Sequence, residues 1–403
     1  MTRYWINWAV RMAVACRVWG IRLEDLRFVG GDVLGPVGMH NDPLCMSDGM
    51  ICAQGAGRDV DLSGYMVLPG IIDVHGDGFE RHLAPRRGAM KEMAEGLIAT
   101  ETELAANGIT TGVLAQFVSW EGGLRGLTFA DQVFRAIKET APKLVTDLRA
   151  QLRLETHLLD LYPDIPEKMM QWGVEYIVFN DHLPHARLAQ GRQPPRMVGQ
   201  ALKAGRNPDV HFQMMMDLHA HSDDVPVALD GLCAQLSAQG IRMGSHDDAQ
   251  KSIRDDWHER GAHIAEFPET LEAAKAAKAK GDLVVLGAPN VVRGGSHKGN
   301  ASAVDLIALG LCDAIASDYH YPSPRRAALM LAKTGLASFA DAWGLVSCGP
   351  AKVLGLEDRG VLSPGKRADL VILDRETRRV AATLVKGRIS HMAGDVATRF
   401  FAA

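Results

Sequence analysis

The chain has 403 residues, 47% apolar and 23% charged, with a formal net charge of -4. That length exceeds what one core usually fills, and the composition is globular rather than disordered or fibrous. The absence of a basic excess argues against nucleic acid as the main partner. Cys16, Cys45, Cys52, Cys233, Cys312 and Cys348 include no C-x-x-C pair, which fits reduced thiols in a cytoplasm better than a disulfide frame.

The chain opens on an apolar stretch, "WINWAVRMAVACRVWG", that Arg11 and Arg17 interrupt. It is too short to span a bilayer and lacks a signal-type cleavage site, so residues 1–20 read as an extension of unknown role with no membrane partner. From 21 to 68 the text becomes short strands with Gly and Asp turns, "RFVGGDVL", "SDGMICAQG" and "DVDLSGYMVLPG". Apolar runs separated by helical stretches follow, at 70–74, 109–115, 152–156, 176–180, 241–245, 264–267, 283–287 and 314–317. Two of the intervening helical stretches end at Gly108 and Gly281, where glycine can take the left-handed cap conformation.

Eight such repeats predict an α/β fold, a (β/α)8 barrel of the TIM type over 69–354, with a doubly wound sheet as the alternative. After 355 the β text returns in "GVLSPGKRADLVILD" and "RVAATLVKGRIS", so 21–68 and 355–403 are expected to pair as one small β-sandwich domain.

In such a barrel the chemistry belongs at the C-terminal strand ends. That filter selects His75 and Asp77 after strand one, Glu155 and His157 after strand three, and Asp181 and His182 after strand four. His246, Asp247 and Asp248 follow strand five, Glu266 lies in strand six, and Asp318 and His320 follow strand eight. So many acids and imidazoles on one face would be costly to bury without a divalent cation. Imidazole and carboxylate donors suit zinc, and also iron or manganese. His75 and Asp77 are two apart on a strand, so they point the same way and can grip one ion.

A second H-x-H, His219 and His221, follows no β-run; on a helix the two would face apart, so it reads as exposed helix or loop. Between strands seven and eight, "GAPNVVRGGSHKGN" offers Gly294, Gly295 and Ser296 with Arg293, His297 and Lys298, a phosphate cradle without P-loop spacing. The run "ERHLAPRR", with Arg81 and Arg86, adds positive charge after strand one. Both point to a phosphorylated small-molecule substrate, while oligomeric state, including a homo-oligomer, stays open.

"LPGIIDVH" at 68–75 and "GKRADLVILD" at 365–374 resemble the amidohydrolase superfamily. "GSHDDA", "IAEFPET", "GAPNVVRGGSHKGN" and "SDYHYP" resemble a diphosphatase family within it that serves phosphonate degradation through carbon–phosphorus lyase. The resemblance implies hydrolysis of α-D-ribose 1-methylphosphonate 5-triphosphate, or a similar ribose 5-triphosphate ester, to the 5-phosphate and pyrophosphate. It implies one or two divalent ions, zinc foremost, held by His75, Asp77, Glu155, His182, His246 and Asp318. Glu155 would bridge, and Asp318 would be the catalytic general base. Arg81, Arg86 and the loop from Arg293 through Lys298 would bind phosphate. Glu266 stands where a strand-six histidine is common in the superfamily, and its role is left open. The competing reading keeps the metal shell but cleaves a C–N bond, as a cyclic amidase, deacetylase or deaminase does.

Overall fold

A computed structural model describes residues 24–55, 57–84, 92–294 and 301–401. The extension at 1–20 lies outside them, as do Arg86, Gly295, Ser296, His297 and Lys298.

Seven short strands come first: β1 (Leu26–Val29), β2 (Asp32–Gly35), β3 (Gly38–His40), β4 (Leu44–Ser47), β5 (Met50–Cys52), β6 (Arg58–Asp61) and β7 (Tyr65–Pro69). Next come β8 (Ile71–Gly76), β9 (Ile109–Val118), β10 (Asp147–Glu155), β11 (Tyr176–Asn180), β12 (Arg242–His246), β13 (Ile264–Glu266), β14 (Leu283–Gly287) and β15 (Ala314–Ala316). Strands β16 (Leu370–Asp374), β17 (Val380–Val385) and β18 (Arg388–Met392) end the sequence of strands. All eight expected repeat strands are present, and β11 and β14 match their expected limits residue for residue.

Strands β8 to β15 lie side by side in chain order, every pair parallel. Their sequences are near-continuous apolar runs because both faces are covered, the outer one by helices such as Leu127–Thr140 and Val225–Ala238. All ten residues of β9 are buried. The ring closes between its first and last strands: the Asp318 N–H donates to the His75 carbonyl and the Asp77 N–H to the Asp318 carbonyl, each at 2.9 Å. A side chain reinforces that seam. Asp73, 0% exposed, accepts from the Ser317 N–H at 2.8 Å and from its hydroxyl at 2.5 Å. At the N-terminal end the interior is filled by Val113, Tyr176, Ile264, Val285 and Ala314, so the barrel is a packed core that opens at the other end.

The remaining strands form two sheets, β5-β4-β1-β6 and β18-β17-β16-β7-β2-β3. One apolar cluster joins them: Phe28, Met46, Ile51 and Val60 from the first pack against Val67, Leu370, Ile372 and Leu384 from the second. This is a β-sandwich built from both ends of the chain, as the matching β text implied. It is tied to the barrel by Arg359, whose guanidinium reaches the Asp147 carboxylate at 2.6 Å and the Thr111 hydroxyl at 2.8 Å. The Thr383 hydroxyl adds a bond to the Ala105 carbonyl at 2.7 Å. Among the described residues, no helix is long and apolar enough to cross a membrane.

Candidate metal centre

The period of two along a strand sends alternate side chains into the barrel, and at the C-terminal ends of β8, β10, β12 and β13 those side chains are polar. His75 and Glu266 are 0% exposed and Glu155 is 1% exposed, whereas the side chains of Asp77 and His182 retain 21% and 33%. Depth therefore grades from a sealed floor to an open mouth.

On the floor, the His75 Nδ1–H donates to Glu266 Oε2 at 2.6 Å. That bond assigns the proton to Nδ1 and turns Nε2 toward the mouth, where the Arg153 guanidinium lies 3.4 Å away. Glu266 is itself held by Gln151 Nε2 at 2.7 Å and the Tyr176 hydroxyl at 2.5 Å. Burial alone would protonate Glu266, but His75, with His246 and the Tyr176 hydroxyl, outweighs it and holds its carboxyl below the usual range. His182 repeats the pattern. Its Nδ1–H donates to Glu155 Oε1 at 2.5 Å, and its backbone N–H reaches the other oxygen at 3.1 Å.

Ligand atoms of His75, Asp77 and Asp318 lie within 4.8 Å of one another, and those of His182, His246 and Asp247 form a second such group. The rings of His246 and His75 are 5.7 Å apart, and those of His246 and His182 are 6.1 Å apart, which joins the two groups. Burial and then the neighbouring Asp77 push the Asp318 carboxyl up to about 6. Burial, with the Arg153 guanidinium second, pushes the His246 imidazole down to about 4, so it is neutral and able to ligate. Its Nδ1 is buried with no hydrogen-bond partner, although Asp247 Oδ1 lies 3.2 Å away. Crowded carboxylates, two imidazoles whose Nδ1–H groups are held by carboxylates and one orphaned ring nitrogen together fit a divalent cation.

Backbone strain concentrates here. Asp247, Phe267 and Asp318, each just beyond the end of its strand, adopt φ of 60°, 54° and 57°, a region non-glycine residues rarely enter. At Asp318 this conformation lets its N–H and carbonyl bridge back to β8, and its carboxylate faces Asp77.

The sequence-derived candidates distribute as follows. His75, Asp77 and Asp318 meet, and His246 and His182 adjoin them. Glu155, expected as a bridging ligand, stands behind His182 and orients it. Glu266, left open at the sequence level, stands behind His75. Arg81 and Arg293 converge on one residue, Tyr319, next to Asp318: Arg81 donates to the Tyr319 carbonyl at 3.2 Å, and Arg293 donates to the Tyr319 hydroxyl. Glu103 pairs with Arg81 and with His82, and so offsets part of the positive charge after strand one. Gly294 caps the helix Ala288–Arg293 with φ 74°, where an L side chain would be strained.

Arg153 was missed. It is 4% exposed; its guanidinium lies 2.9 Å from His246 Nε2, 3.4 Å from His75 Nε2 and 2.9 Å from Asn180 Oδ1, and stacks 3.8 Å over the Phe117 ring. The signal was present: Gln151, Arg153 and Glu155 alternate along β10, so the parity that turns Glu155 inward turns Arg153 inward too. Asp248, another strand-five candidate, instead accepts from Ser245 Oγ at 2.7 Å and pairs with buried Arg254 at 3.1 Å, which anchors the helix Lys251–Glu259. His221 is exposed and pairs with Asp224, as expected. His219 is not an exposed residue; half-buried, it packs on His185, because the end of its helix folds over the β11 loop. A groove of 720 Å³ at the N-terminal strand ends, lined by Asp147, Arg149 and Arg242, lies at the opposite end of the barrel.

Residues 210–391 match the Amidohydrolase family model. The chain is 32% identical over 327 residues to the α-D-ribose 1-methylphosphonate 5-triphosphate diphosphatase of Escherichia coli (strain K12), covering 80% of this chain and 86% of that protein. Among solved structures it is similar to molinate hydrolase, with a TM-score of 0.65 at 14% identity over 94% of this chain and 96% of the other. It is similar also to the N-acetylglucosamine-6-phosphate deacetylase of Pasteurella multocida, with a TM-score of 0.61 at 12% identity over 90% and 98%. At such identities these two likenesses speak for the fold alone.

Proposed function

The chain belongs to the amidohydrolase superfamily and is a hydrolase, and on that footing we propose that it hydrolyses a ribose 5-triphosphate ester to the 5-phosphate and pyrophosphate. The substrate that the E. coli relative's name carries, α-D-ribose 1-methylphosphonate 5-triphosphate, is the member of that class we assign to it, and phosphonate breakdown in the cytoplasm is the setting. The observation that carries the reading is the convergence of Arg81 and Arg293 on Tyr319, beside the carboxylates of Asp318 and Asp77. A neutral amide gains little from two guanidiniums anchored to the residue next to the site's acid; a polyanion gains charge-assisted bonds from them.

In this reading His75, Asp77 and Asp318, with His182 and His246, hold one or two divalent ions, with zinc favoured by the donors and iron or manganese close behind. Such an ion, when bound, lowers the pKa of a water molecule and draws negative charge from phosphoryl oxygens. The protein's own groups do the rest. Asp318 accepts the proton of the attacking water as its oxygen bonds to phosphorus; the bridging P–O bond breaks, and pyrophosphate leaves with that electron pair. Arg81 and Arg293, with Arg86 and the 294–298 loop, orient the triphosphate and offset its charge. Glu155 and Glu266 keep His182 and His75 in the tautomer and orientation the site needs. We assign this chemistry to the barrel at 69–354, with 21–68 and 355–403 as the supporting unit.

The alternative, cleavage of a C–N bond by the same shell, is separated by substrate charge. Arg293→Ala should raise KM for ribose 5-triphosphate esters at least about tenfold, the loss of one charge-assisted bond, while leaving any turnover of neutral cyclic amides unchanged. Equal effects on both classes, or amide turnover exceeding triphosphate turnover in the unaltered protein, would reject the proposal.

A further inference from the structure

A further group of ligating side chains shares no residue with the two already described. Ligand atoms of His157, Asp181 and His185 lie within 4.8 Å of one another. His185 Nε2 faces the Asp181 carboxylate at 3.0 and 3.1 Å, and His157 Nδ1 faces it at 3.7 Å. On the far side of each ring the other nitrogen is engaged. His157 Nε2 is 3.2 Å from Ser222 Oγ, and His185 Nδ1 is 2.8 Å from His219 Nδ1. With the ring protons on these outer nitrogens, the two inner nitrogens would offer lone pairs to a cation shared with the Asp181 carboxylate, the arrangement that metal-binding imidazoles adopt. The Thr156 hydroxyl, 3.2 Å from His157 Nδ1, can rotate away. The His157 side chain is 4% exposed, whereas His185 and Asp181 are 33% and 42% exposed, so the group has a buried wall and an open approach.

We propose that His157, Asp181 and His185 form a separate site for a divalent transition-metal ion, with Ser222 and His219 orienting the two imidazoles. Two imidazoles and one carboxylate suit zinc, iron or nickel and disfavour calcium and magnesium, which take oxygen donors. The site would tie the loop after β10 and the loop after β11 to the end of the helix Pro208–Ala220. It stands apart from the catalytic reading, because it shares no residue with the groups around Asp318 and His246.

The test counts zinc. Unaltered protein, His157→Gln and His185→Ala are stripped with chelator, dialysed against zinc and analysed by plasma mass spectrometry, with melting of the zinc-free forms as the folding control. The unaltered protein should carry one more zinc per chain than either variant, and that extra ion should persist when His75 and Asp77 are both replaced by Ala. His219→Gln, which spares the ligands, should weaken zinc binding at this site about 10- to 100-fold. Equal zinc content in the unaltered protein and both ligand variants would overturn the proposal and leave a hydrogen-bonded ion pair between Asp181 and His185.

Discussion

Glu266 is a carboxylate sealed from solvent that touches no open face of the site, yet His75 depends on it. Its charge is held in place by Tyr176 and Gln151 and spent on a single imidazole N–H. Glu266→Gln keeps the shape and removes the charge, so cation affinity at the mouth should fall about 10- to 100-fold, the usual cost of losing a carboxylate behind a ligand. Competition with a chromophoric chelator measures this directly; unchanged affinity would show that His75 is oriented by packing alone. The sequence placed Glu266 in strand six but could not assign it, because its partners are 115 and 90 residues away in the chain. His75 and Asp77 were legible because both lie in one short run, with a spacing that geometry alone interprets.

At the scale of elements, the barrel stands or falls on the seam between its first and last strands. Apart from an isolated bridge at Gly76 and Asp318, β8 and β15 share no ladder, so Asp73 and Ser317 supply the contact that hydrogen-bond registration supplies elsewhere. Asp73→Ala leaves the Ser317 N–H and hydroxyl unpaired in the interior. It should cost about 2–6 kcal/mol, two unsatisfied groups at about 1–3 kcal/mol each, read as a lower urea midpoint. Loss within 0.5 kcal/mol, about the scatter of a neutral surface change, would mean that the backbone bonds alone close the ring. The eight strands were readable because parallel strands covered on both faces are written as unbroken apolar runs. Arg153 was not, because a filter confined to strand ends passes over inward-facing residues one layer below. The His157, Asp181 and His185 group was also invisible as a group, since the segments after β10 and β11 must meet before it exists.

At the scale of the whole molecule, the β text at the two ends of the chain announced a common unit, and the sandwich bears this out. The strand partners and the bridge to the barrel had no local signature. Asp147, at the start of β10, receives Arg359 from beyond the barrel at 2.6 Å, with Arg367 at 3.6 Å. Burial raises the Asp147 pKa, but Arg149, Arg359 and Arg367 outweigh it, so the net shift is downward. A carboxyl depressed in the folded state contributes stability that is fully present above its unfolded pKa, about 3.9 for aspartate, and that is lost as pH falls through the lower folded value. Asp147→Asn should therefore be less stable than the unaltered protein at pH 7, and the gap in urea midpoint should close below about pH 4. A gap that does not narrow as pH falls below about 4 would point to shape rather than charge.

The proposed cleavage of a triphosphate needs carboxylates and imidazoles from distant strands to gather a divalent cation beside two guanidiniums. Phosphorus-31 NMR of α-D-ribose 1-methylphosphonate 5-triphosphate incubated with the protein follows that cleavage bond by bond. Protein reloaded with zinc should release pyrophosphate, chelator-stripped protein should release none, and zinc-loaded Asp318→Asn should be slower by about 100- to 10,000-fold, the range for removing a general base. Pyrophosphate release that survives chelation, or that proceeds unchanged in Asp318→Asn, would contradict it.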